Sequence, residues 1–279
     1  MALSILNNIP SLVAQNQLSI TNQSLQKTLF RLASGSRINS GADDAAGLAI
    51  ADGLKANISA LNQSAQNASS GVGSLQVADG ALAQVTTLLN RAVTLATESA
   101  TGTVSSSQRT ALDAEFTAIK AEIDRIGSNT TFNGTSVFTA STTSIFLSDA
   151  GSNSTIGVSV GTLATTAMSD GGTSTVDLST EHLDTADNAS TALGDINKAI
   201  AGVAGTRGTI GASINRLQAA VNVMNNQVQN LTAAEDGIRA ADVPSEIANL
   251  SRFSILNQTG ISALAQANSQ QQSVLALLR

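Results

Sequence analysis

Apolar residues at alternating steps of four and three positions constrain this chain more than any other feature of its sequence. One run keeps this spacing from Leu54 to Leu89, with a single short step at Ala78, and a second keeps it from Ile210 to Leu231. Such steps place side chains on one face of an α-helix, and their repetition is the heptad pattern of helices that pack as a coiled coil. The short step is a stammer, which locally overwinds a helix pair. We therefore predict a mainly α-helical fold built from long, packed helices.

Turn-forming residues divide the N-terminal half into segments. We expect one helix to break at residues 34–36, which read Ser-Gly-Ser, and the next to end at 101–103, which read Thr-Gly-Thr. Asp43 or Asp44 can cap the start of that second helix, because an aspartate side chain accepts bonds from the first free N–H groups. A shorter helix follows from about Leu112, with apolar residues again at steps of four and three.

The middle of the chain, residues 128–182, is rich in Gly, Ser and Thr and changes character. Short stretches of alternating apolar residues predict strands at Val137-Phe138, at 144–147 and around 156–160. Glycines separate these stretches. We expect a small sheet or hairpins here.

Both ends of the chain carry a helical pattern that is diluted by polar residues. We predict a bend at 241–245, because Pro244 lacks an N–H group and restricts the residue before it. The last helix then alternates apolar seam positions with Asn and Gln, and the first twenty residues are similar. A helix takes most of its stability from packing, so both ends should be marginal alone and should order on meeting partners.

The composition argues against several functions. Charged residues make up 12 % of the chain, the net charge is −6, and basic residues form no cluster of the kind that binds phosphates, so we expect no nucleic-acid binding. We also expect no membrane insertion and no cleaved signal peptide. With no Cys and His182 as the one histidine, we expect no metal, no cofactor and no enzymatic activity. For the adjacent Asp43 and Asp44, helix capping is a better explanation than paired catalysis.

Four motifs resemble those of a known family. Residues 32–50, LASGSRINSGADDAAGLAI, closely resemble the N-terminal signature of bacterial flagellins. Residues 255–268, ILNQTGISALAQAN, and the closing stretch 274–279, VLALLR, resemble the C-terminal signature of the same family. Residues 131–134, TFNG, match a turn that follows the second N-terminal helix of flagellins.

The resemblance implies a fold of long antiparallel helices, which form a coiled-coil inner domain and a rod domain, with a small β-hairpin region in the middle. Residues 1–42 and 241–279 would form the inner domain. Residues 43–127 and 183–240 would form the rod, and residues 128–182 the hairpin region. Because that middle region is short, large outer domains are expected to be absent.

The resemblance also implies a function and a location. A flagellin is an extracellular structural subunit that polymerises into the flagellar filament for swimming motility. The implied partners are further copies of the chain, hook-associated and cap proteins, an export chaperone that binds about residues 240–279, and other flagellins. Export would proceed unfolded through the flagellar type III apparatus. The alternative is the hook–filament junction protein, which shares the terminal helices; a chemoreceptor signalling domain lacks support from the sequence.

Two sets of candidate site residues follow from the resemblance. The apolar residues of the terminal helices are expected to take part in polymerisation: Leu25, Leu29, Leu32, Ile261, Leu264, Leu275 and Leu278. A second set, Arg91, Leu95 and Glu115, matches positions at which flagellins contact an innate immune receptor of animals. Thr94 stands where the family has a Glu, which argues against strong receptor activation.

Overall fold

The computed structural model describes residues 8–148, 154–169 and 175–277, the last seven of them as helix without their side chains. Five long helices dominate these residues, which confirms the predicted mainly α-helical class. Their bounds are α1 Ile9–Ser34, α2 Ala45–Ala100, α3 Ser106–Asn129, α4 Ala186–Arg239 and α5 Val243–Leu277. Within the described residues, no helix combines the length and the apolar character that crossing a membrane requires.

The predicted helix breaks in the N-terminal half are present, and local chemistry accounts for each. Helix α1 ends at Gly35, whose φ of 68° is the left-handed conformation that glycine adopts without a steric penalty. Asp44 caps α2, since its Oδ1 accepts the Gly47 N–H at 2.9 Å. Ser105 and Gln108 form a reciprocal capping box at the start of α3.

The predicted bend near Pro244 is a complete break between α4 and α5. Helix α4 ends at Arg239, and α5 begins at Val243, so that Pro244 lies in the first turn of the new helix. Prolines are tolerated there because the first N–H groups of a helix have no partner within the helix.

Hairpins are present in the middle region, as predicted, and its described residues form three short antiparallel ones. They pair β1 Thr131–Phe132 with β2 Thr135–Ser136, β3 Thr143–Phe146 with β4 Thr155–Val158, and β5 Met168–Ser169 with β6 Thr175–Val176. Asn133 and Gly134 connect the first hairpin with φ values of 51° and 77°, the left-handed pair that a tight type I′ turn requires. The prediction of a strand at Val137-Phe138 is wrong. These two residues follow β2 without joining a strand, and both side chains are buried.

The chain folds as two compact units. The first unit consists of Met1–Ala56 and Asn230–Arg279, and the second unit of Asn57–Gln229. The first unit contains segments 1–42 and 241–279, which the family resemblance assigned to an inner domain, and also residues 43–56 and 230–240, which it assigned to the rod.

The heptad faces of α2 and α4 supply much of the core of the second unit. On α4, and on α2 as far as Leu75, alternate seam positions are almost fully buried and the positions between them are partly exposed; from Leu75 to Leu89 every seam position of α2 is buried. The buried set comprises Leu61, Ala68, Leu75, Leu82, Leu89, Ile210, Leu217 and Met224. Full burial of a Leu, Ile or Met side chain contributes about 1.5–3 kcal/mol, so this face stabilises the second unit substantially.

Helix α3 fixes the chain that returns towards α4. The Asp124 carboxylate accepts the backbone N–H and the hydroxyl of Thr165, at 2.7 and 2.8 Å. Nearer the start of α3, Asp113 accepts the Leu183 N–H at 2.7 Å. These bonds satisfy backbone groups that lie outside regular structure, which stabilises the hairpin region against the helix.

Candidate assembly surface

The first unit is built on the antiparallel packing of α1 against α5. Buried and half-buried positions along one face of α1 follow heptad spacing, and a matching face exists on α5. We call these two faces the terminal seam. On α1 it comprises Ser11, Ala14, Leu18, Thr21, Leu25, Thr28 and Leu32, and on α5 Leu250, Phe253, Asn257, Gly260, Leu264 and Ala267.

The seam lets the two helices approach closely at Gly260. A Cβ atom at this position would lie 3.2 Å from Leu18 Cδ1 and 3.9 Å from Leu18 Cβ. Because this space is already filled by Leu18, any larger residue at 260 would displace the leucine or separate the helices.

Polar side chains bridge the two helices beside the apolar contacts. The side-chain amide of Asn257 donates to Oδ1 of Asn22, and the Ser11 hydroxyl donates to Oδ1 of Asn268 at 2.9 Å. Both bonds join residues that are more than two hundred positions apart in the sequence. The pairing therefore combines a thin apolar seam with neutral hydrogen bonds.

Asn8 ties the start of α1 to the far end of α5. Its Oδ1 accepts the Ser11 N–H at 3.0 Å, which caps α1, and its Nδ2 donates to the Ala267 carbonyl at 3.1 Å. One side chain thus satisfies a free N–H group of one helix and bonds to the backbone of the other.

Charged residues cluster at the opposite end of the seam. Arg31 Nη1 lies 3.3 Å from Oε1 of Glu246, which is buried, and Arg31 Nη2 lies 3.7 Å from Asp43 Oδ1. Lys27 Nζ lies 2.6 Å from the same Asp43 oxygen. The hydrogen bond from Lys27, with one from the Asn39 N–H, lowers the pKa of Asp43 to about 2. This charge cluster joins α1, α5 and the loop before α2.

The loop after α1 is bonded to the break between α4 and α5. The Arg37 N–H donates to the Arg239 carbonyl at 2.7 Å, and the Ala241 N–H donates to the Gly35 carbonyl at 2.9 Å. The Arg37 guanidinium also donates to the Ile238 carbonyl at 2.9 Å. Backbone pairing thereby holds the N-terminal signature to the segment that precedes the last helix.

The predicted polymerisation residues fall into three groups. Three are half-buried on the terminal seam: Leu25, Leu32 and Leu264. Leu29 and Ile261 are instead 47 % and 55 % exposed in the single chain. Leu275 belongs to α5 but its side chain lies outside the described residues, as does Leu278 altogether.

A second apolar face of α1 lies opposite the seam. Ile9, Val13, Ile20 and Phe30 repeat near heptad spacing on that side, and each is more than half exposed. Helix α5 likewise exposes Ile247, Ile255, Leu256 and Ile261. Soluble monomers rarely expose so many large apolar side chains on two helices, and exposed apolar surface of this kind marks interaction sites.

The predicted receptor residues lie in the second unit, on α2 and α3. Arg91 and Glu115 form a two-pronged ion pair, with Nε to Oε1 at 2.8 Å and Nη2 to Oε2 at 3.1 Å, and both side chains are exposed. The hydrogen bond from Arg91 lowers the pKa of Glu115. Leu95 is only 1 % exposed, so its side chain packs inward and does not join this pair at the surface.

The remaining titratable candidates have structural roles. The Nδ1 atom of His182, an exposed residue, lies 3.3 Å from Asp113 Oδ2. Asp43 belongs to the charge cluster and Asp44 caps α2, so the two adjacent carboxylates act separately. Among the residues that the structure describes, no group of three His, Cys, Asp or Glu side chains is arranged to hold a metal ion.

Comparisons with known proteins match both ends of this chain. The model of the bacterial flagellin N-terminal helical region matches residues 5–143, and that of the bacterial flagellin C-terminal helical region matches residues 193–278. The flagellar filament 33 kDa core protein of Treponema phagedenis is 36 % identical over 98 % of this chain and 99 % of its own length. A flagellin of Bacillus subtilis is 33 % identical over the same shares. A crystal structure of Bacillus cereus flagellin is similar with a TM-score of 0.48 and 28 % identity, covering 61 % of this chain and 94 % of that one.

Proposed function

This chain belongs to the bacterial flagellin family, and on that premise we infer that it is a structural subunit that polymerises into the extracellular flagellar filament. The observation that carries this function is full-length similarity to filament core proteins and flagellins. Those names favour the filament subunit over the hook–filament junction protein. The family is one of structural proteins, in keeping with the expectation that the chain is not an enzyme.

We propose that the terminal helices fold completely only when the subunit joins the filament. The α1 face of the terminal seam contributes large apolar side chains at Leu18, Leu25 and Leu32 alone, with Ser, Ala and Thr between them. Together with Leu250, Phe253 and Leu264 of α5, these half-buried side chains stabilise the helix pair only modestly against the entropy of ordering two segments. Neighbouring subunits that cover the exposed apolar faces would supply the rest.

Within this mechanism the predicted polymerisation residues divide by role. We assign Leu25, Leu32 and Leu264 to pairing within the subunit, because they are half-buried on the seam. We assign Leu29 and Ile261 to contacts between subunits, because the single chain leaves them exposed. We propose the domain map that the resemblance implies, with segments 1–42 and 241–279 as the inner domain, 43–127 with 183–240 as the rod, and 128–182 as the hairpin region.

The other implied partners remain part of the proposal. Terminal helices that are unpaired before assembly suit export through the flagellar type III apparatus, and they leave α5 free to bind an export chaperone. Cap and hook-associated proteins, and other flagellins, would meet the same exposed faces at the ends of a filament or within it. For an innate immune receptor, Arg91 and Glu115 offer a surface ion pair.

Deletion of residues 260–279 tests the assembly mechanism. We expect the truncated chain to lose polymerisation, because it lacks the last part of the seam that faces α1, while the second unit stays folded. Electron microscopy measures filaments, and the thermal transition by circular dichroism reports the second unit in truncated and full-length protein. Filaments formed by the truncated chain would contradict the mechanism. A full-length protein that forms none under assembly conditions would contradict the function itself.

A further inference from the structure

Asn133 is the one asparagine of this chain that a glycine follows. The pair forms the tip of the hairpin between β1 and β2, and both residues are exposed. Asparagine reacts most readily at such a step, because glycine has no side chain to shield its own backbone nitrogen. A Cβ atom at Gly134 would meet nothing within 4 Å beyond its chain neighbours, so the fold does not cover this side of the turn.

The reaction open to this pair is loss of the side-chain amide. The Gly134 backbone nitrogen, after giving its proton to hydroxide, attacks the Cγ atom of Asn133. A bond forms between these two atoms and the bond from Cγ to Nδ2 breaks; Nδ2 takes up a proton from water and leaves as ammonia. Water then opens the resulting cyclic imide at either of its carbonyls, which yields aspartate or isoaspartate.

The closed turn holds the reacting atoms apart. With a φ of 51°, Asn133 has the left-handed conformation, in which ψ is also positive. Such a ψ places the Gly134 nitrogen nearly opposite the Asn133 Cβ across the Cα–C bond, whereas attack on Cγ requires the nitrogen on the same side as Cβ. The reaction therefore requires rotation about this bond, and that rotation breaks the type I′ turn.

Two sets of contacts oppose this rotation. The strands pair Phe132 with Thr135, and the Val137 N–H donates to the Thr130 carbonyl at 3.1 Å. Half-buried Phe132 also lies against α2, where a Cβ atom at Gly73 would be 3.5 Å from Phe132 Cε2. An isolated hairpin is at best marginally stable in water, so the aromatic contact with the helix helps to keep the turn closed.

We propose that Asn133 is a site of spontaneous deamidation, and that the β1–β2 hairpin controls the rate of this reaction by keeping the turn closed. A chain without the hairpin is modified, whereas a folded chain is modified only during transient opening of the turn. Isoaspartate adds a methylene group to the main chain, which the type I′ turn does not accommodate, so the modified hairpin does not close again. The site lies in the second unit, and its modification depends neither on the terminal helices nor on filament assembly.

Peptide mass spectrometry of the aged full-length chain measures the reaction, with isoaspartate separated from aspartate by chromatography. The parent is incubated at one mildly alkaline pH, both in buffer and unfolded in guanidinium chloride, until product is measurable in the folded sample. We expect Asn133 to react at least about tenfold faster in the unfolded chain, because only the open fraction of the folded hairpin reacts. Asn129, which the β-branched Thr130 follows, is the internal reference and should react much more slowly than Asn133 in guanidinium chloride.

Phe132→Ala tests the control by the hairpin. The rate of each variant in buffer is divided by the rate of the same variant in guanidinium chloride, which removes any effect on intrinsic reactivity. Loss of the half-buried ring should raise this ratio roughly tenfold, the effect on the opening equilibrium of removing about half of a buried Phe side chain. Phe146→Ala makes the same replacement on β3, at a side chain that is 41 % exposed, and should leave the ratio unchanged.

Different results would overturn the two parts of the proposal. If Asn133 reacts no faster than Asn129 in the unfolded chain, Asn133 is not a reactive site. Equal rates for Asn133 in the folded and unfolded parent would show that the hairpin does not control the reaction. So would a ratio that Phe132→Ala leaves unchanged, or that Phe146→Ala raises as much.

Discussion

Replacement of Leu29 and Ile261 by glutamine should weaken polymerisation without changing the subunit. The two side chains are 47 % and 55 % exposed in the single chain, so about half of each remains available for burial by a neighbouring subunit. Full burial of Leu or Ile contributes about 1.5–3 kcal/mol, so the exposed parts together would contribute about 1.5–3 kcal/mol per subunit added.

That free energy corresponds to a rise of about 10- to 150-fold in the critical concentration for assembly. Sedimentation of filaments from a dilution series measures the critical concentration of Leu29→Gln with Ile261→Gln against the parent. Asn16→Gln, at an exposed polar position of α1, is the matched control. Circular dichroism of the soluble subunits should be identical for all three, because the changed positions are at the surface.

A critical concentration within roughly twofold of the parent would refute the assignment, because it would show that neither exposed side chain is buried on assembly. An equal rise in the Asn16→Gln control would refute it as well, since the effect would then not depend on apolar burial. A change in the circular dichroism of the soluble double variant would show that these residues stabilise the subunit itself, against their position at its surface.

Three further predictions concern charged groups. The folded-state pKa of Asp43 is lowered to about 2, so the stability that its ionised form contributes is present above its ordinary pKa of 3.8 and is lost as the pH falls towards 2. Filaments of Asp43→Asn should therefore lose less stability than parent filaments over that pH range. Acid dissociation of the filaments measures the difference. Burial lowers the pKa of Lys120, so the unfolded chain binds more protons than the folded chain at alkaline pH. The free energy of unfolding of the parent should therefore rise relative to that of Lys120→Met as the pH increases towards the unfolded pKa, and the absence of Tyr and Cys simplifies this titration. A difference between the two proteins that stays constant with pH would contradict the prediction. Arg91→Ala should reduce activation of flagellin-sensing reporter cells, and Glu115→Ala should act similarly, whereas unchanged activity of both variants would remove the pair from any receptor site.

The long helices were predictable because their signals are local. Four-three spacing, Gly35 after α1, Asp44 before α2 and Pro244 before the last helix each act within a few residues. The hairpin region was predicted as a class, but Val137 and Phe138 are buried without joining a strand. Adjacent apolar residues occur both in buried strands and in buried irregular segments, so the sequence alone does not distinguish a strand from a buried loop at Val137 and Phe138.

The terminal seam was predicted only in part, because polar residues occupy many of its positions. Leu25, Leu29 and Leu32 follow steps of four and three, which alone predicts that they share one face of a helix. The observed face follows Leu18 and Leu25 through Thr21, which is buried despite its hydroxyl, and it leaves Leu29 exposed. A pattern search that counts only apolar residues overlooks such a face.

The contacts that close the first unit were not predictable from periodicity. Arg31 and Glu246 are separated by 215 positions, and Asn22 and Asn257 by 235. A repeating pattern states which face of a helix is buried but not which helix covers it, or in which register. Leu95 is only 1 % exposed, whereas the family resemblance placed it at a receptor surface.

Charged residues of the terminal helices are confined to one end of the seam, where they hold the subunit together, and the rest of both helices is uncharged, which suits contact between subunits. Ion pairs between Lys27, Arg31, Asp43 and Glu246 hold the end of the seam where the loop and the helix break meet, and salt screens the largely buried Arg31–Glu246 pair only a little. The segments beyond are uncharged, so neighbouring copies of them do not repel each other when their apolar faces meet. An uncharged surface also gives no electrostatic means of rejecting a wrong partner or a wrong alignment. The neutral hydrogen bond between Asn257 and Asn22 adds only about 0.5–1.5 kcal/mol to the pairing, which agrees with the proposal that the terminal helices fold completely only on assembly.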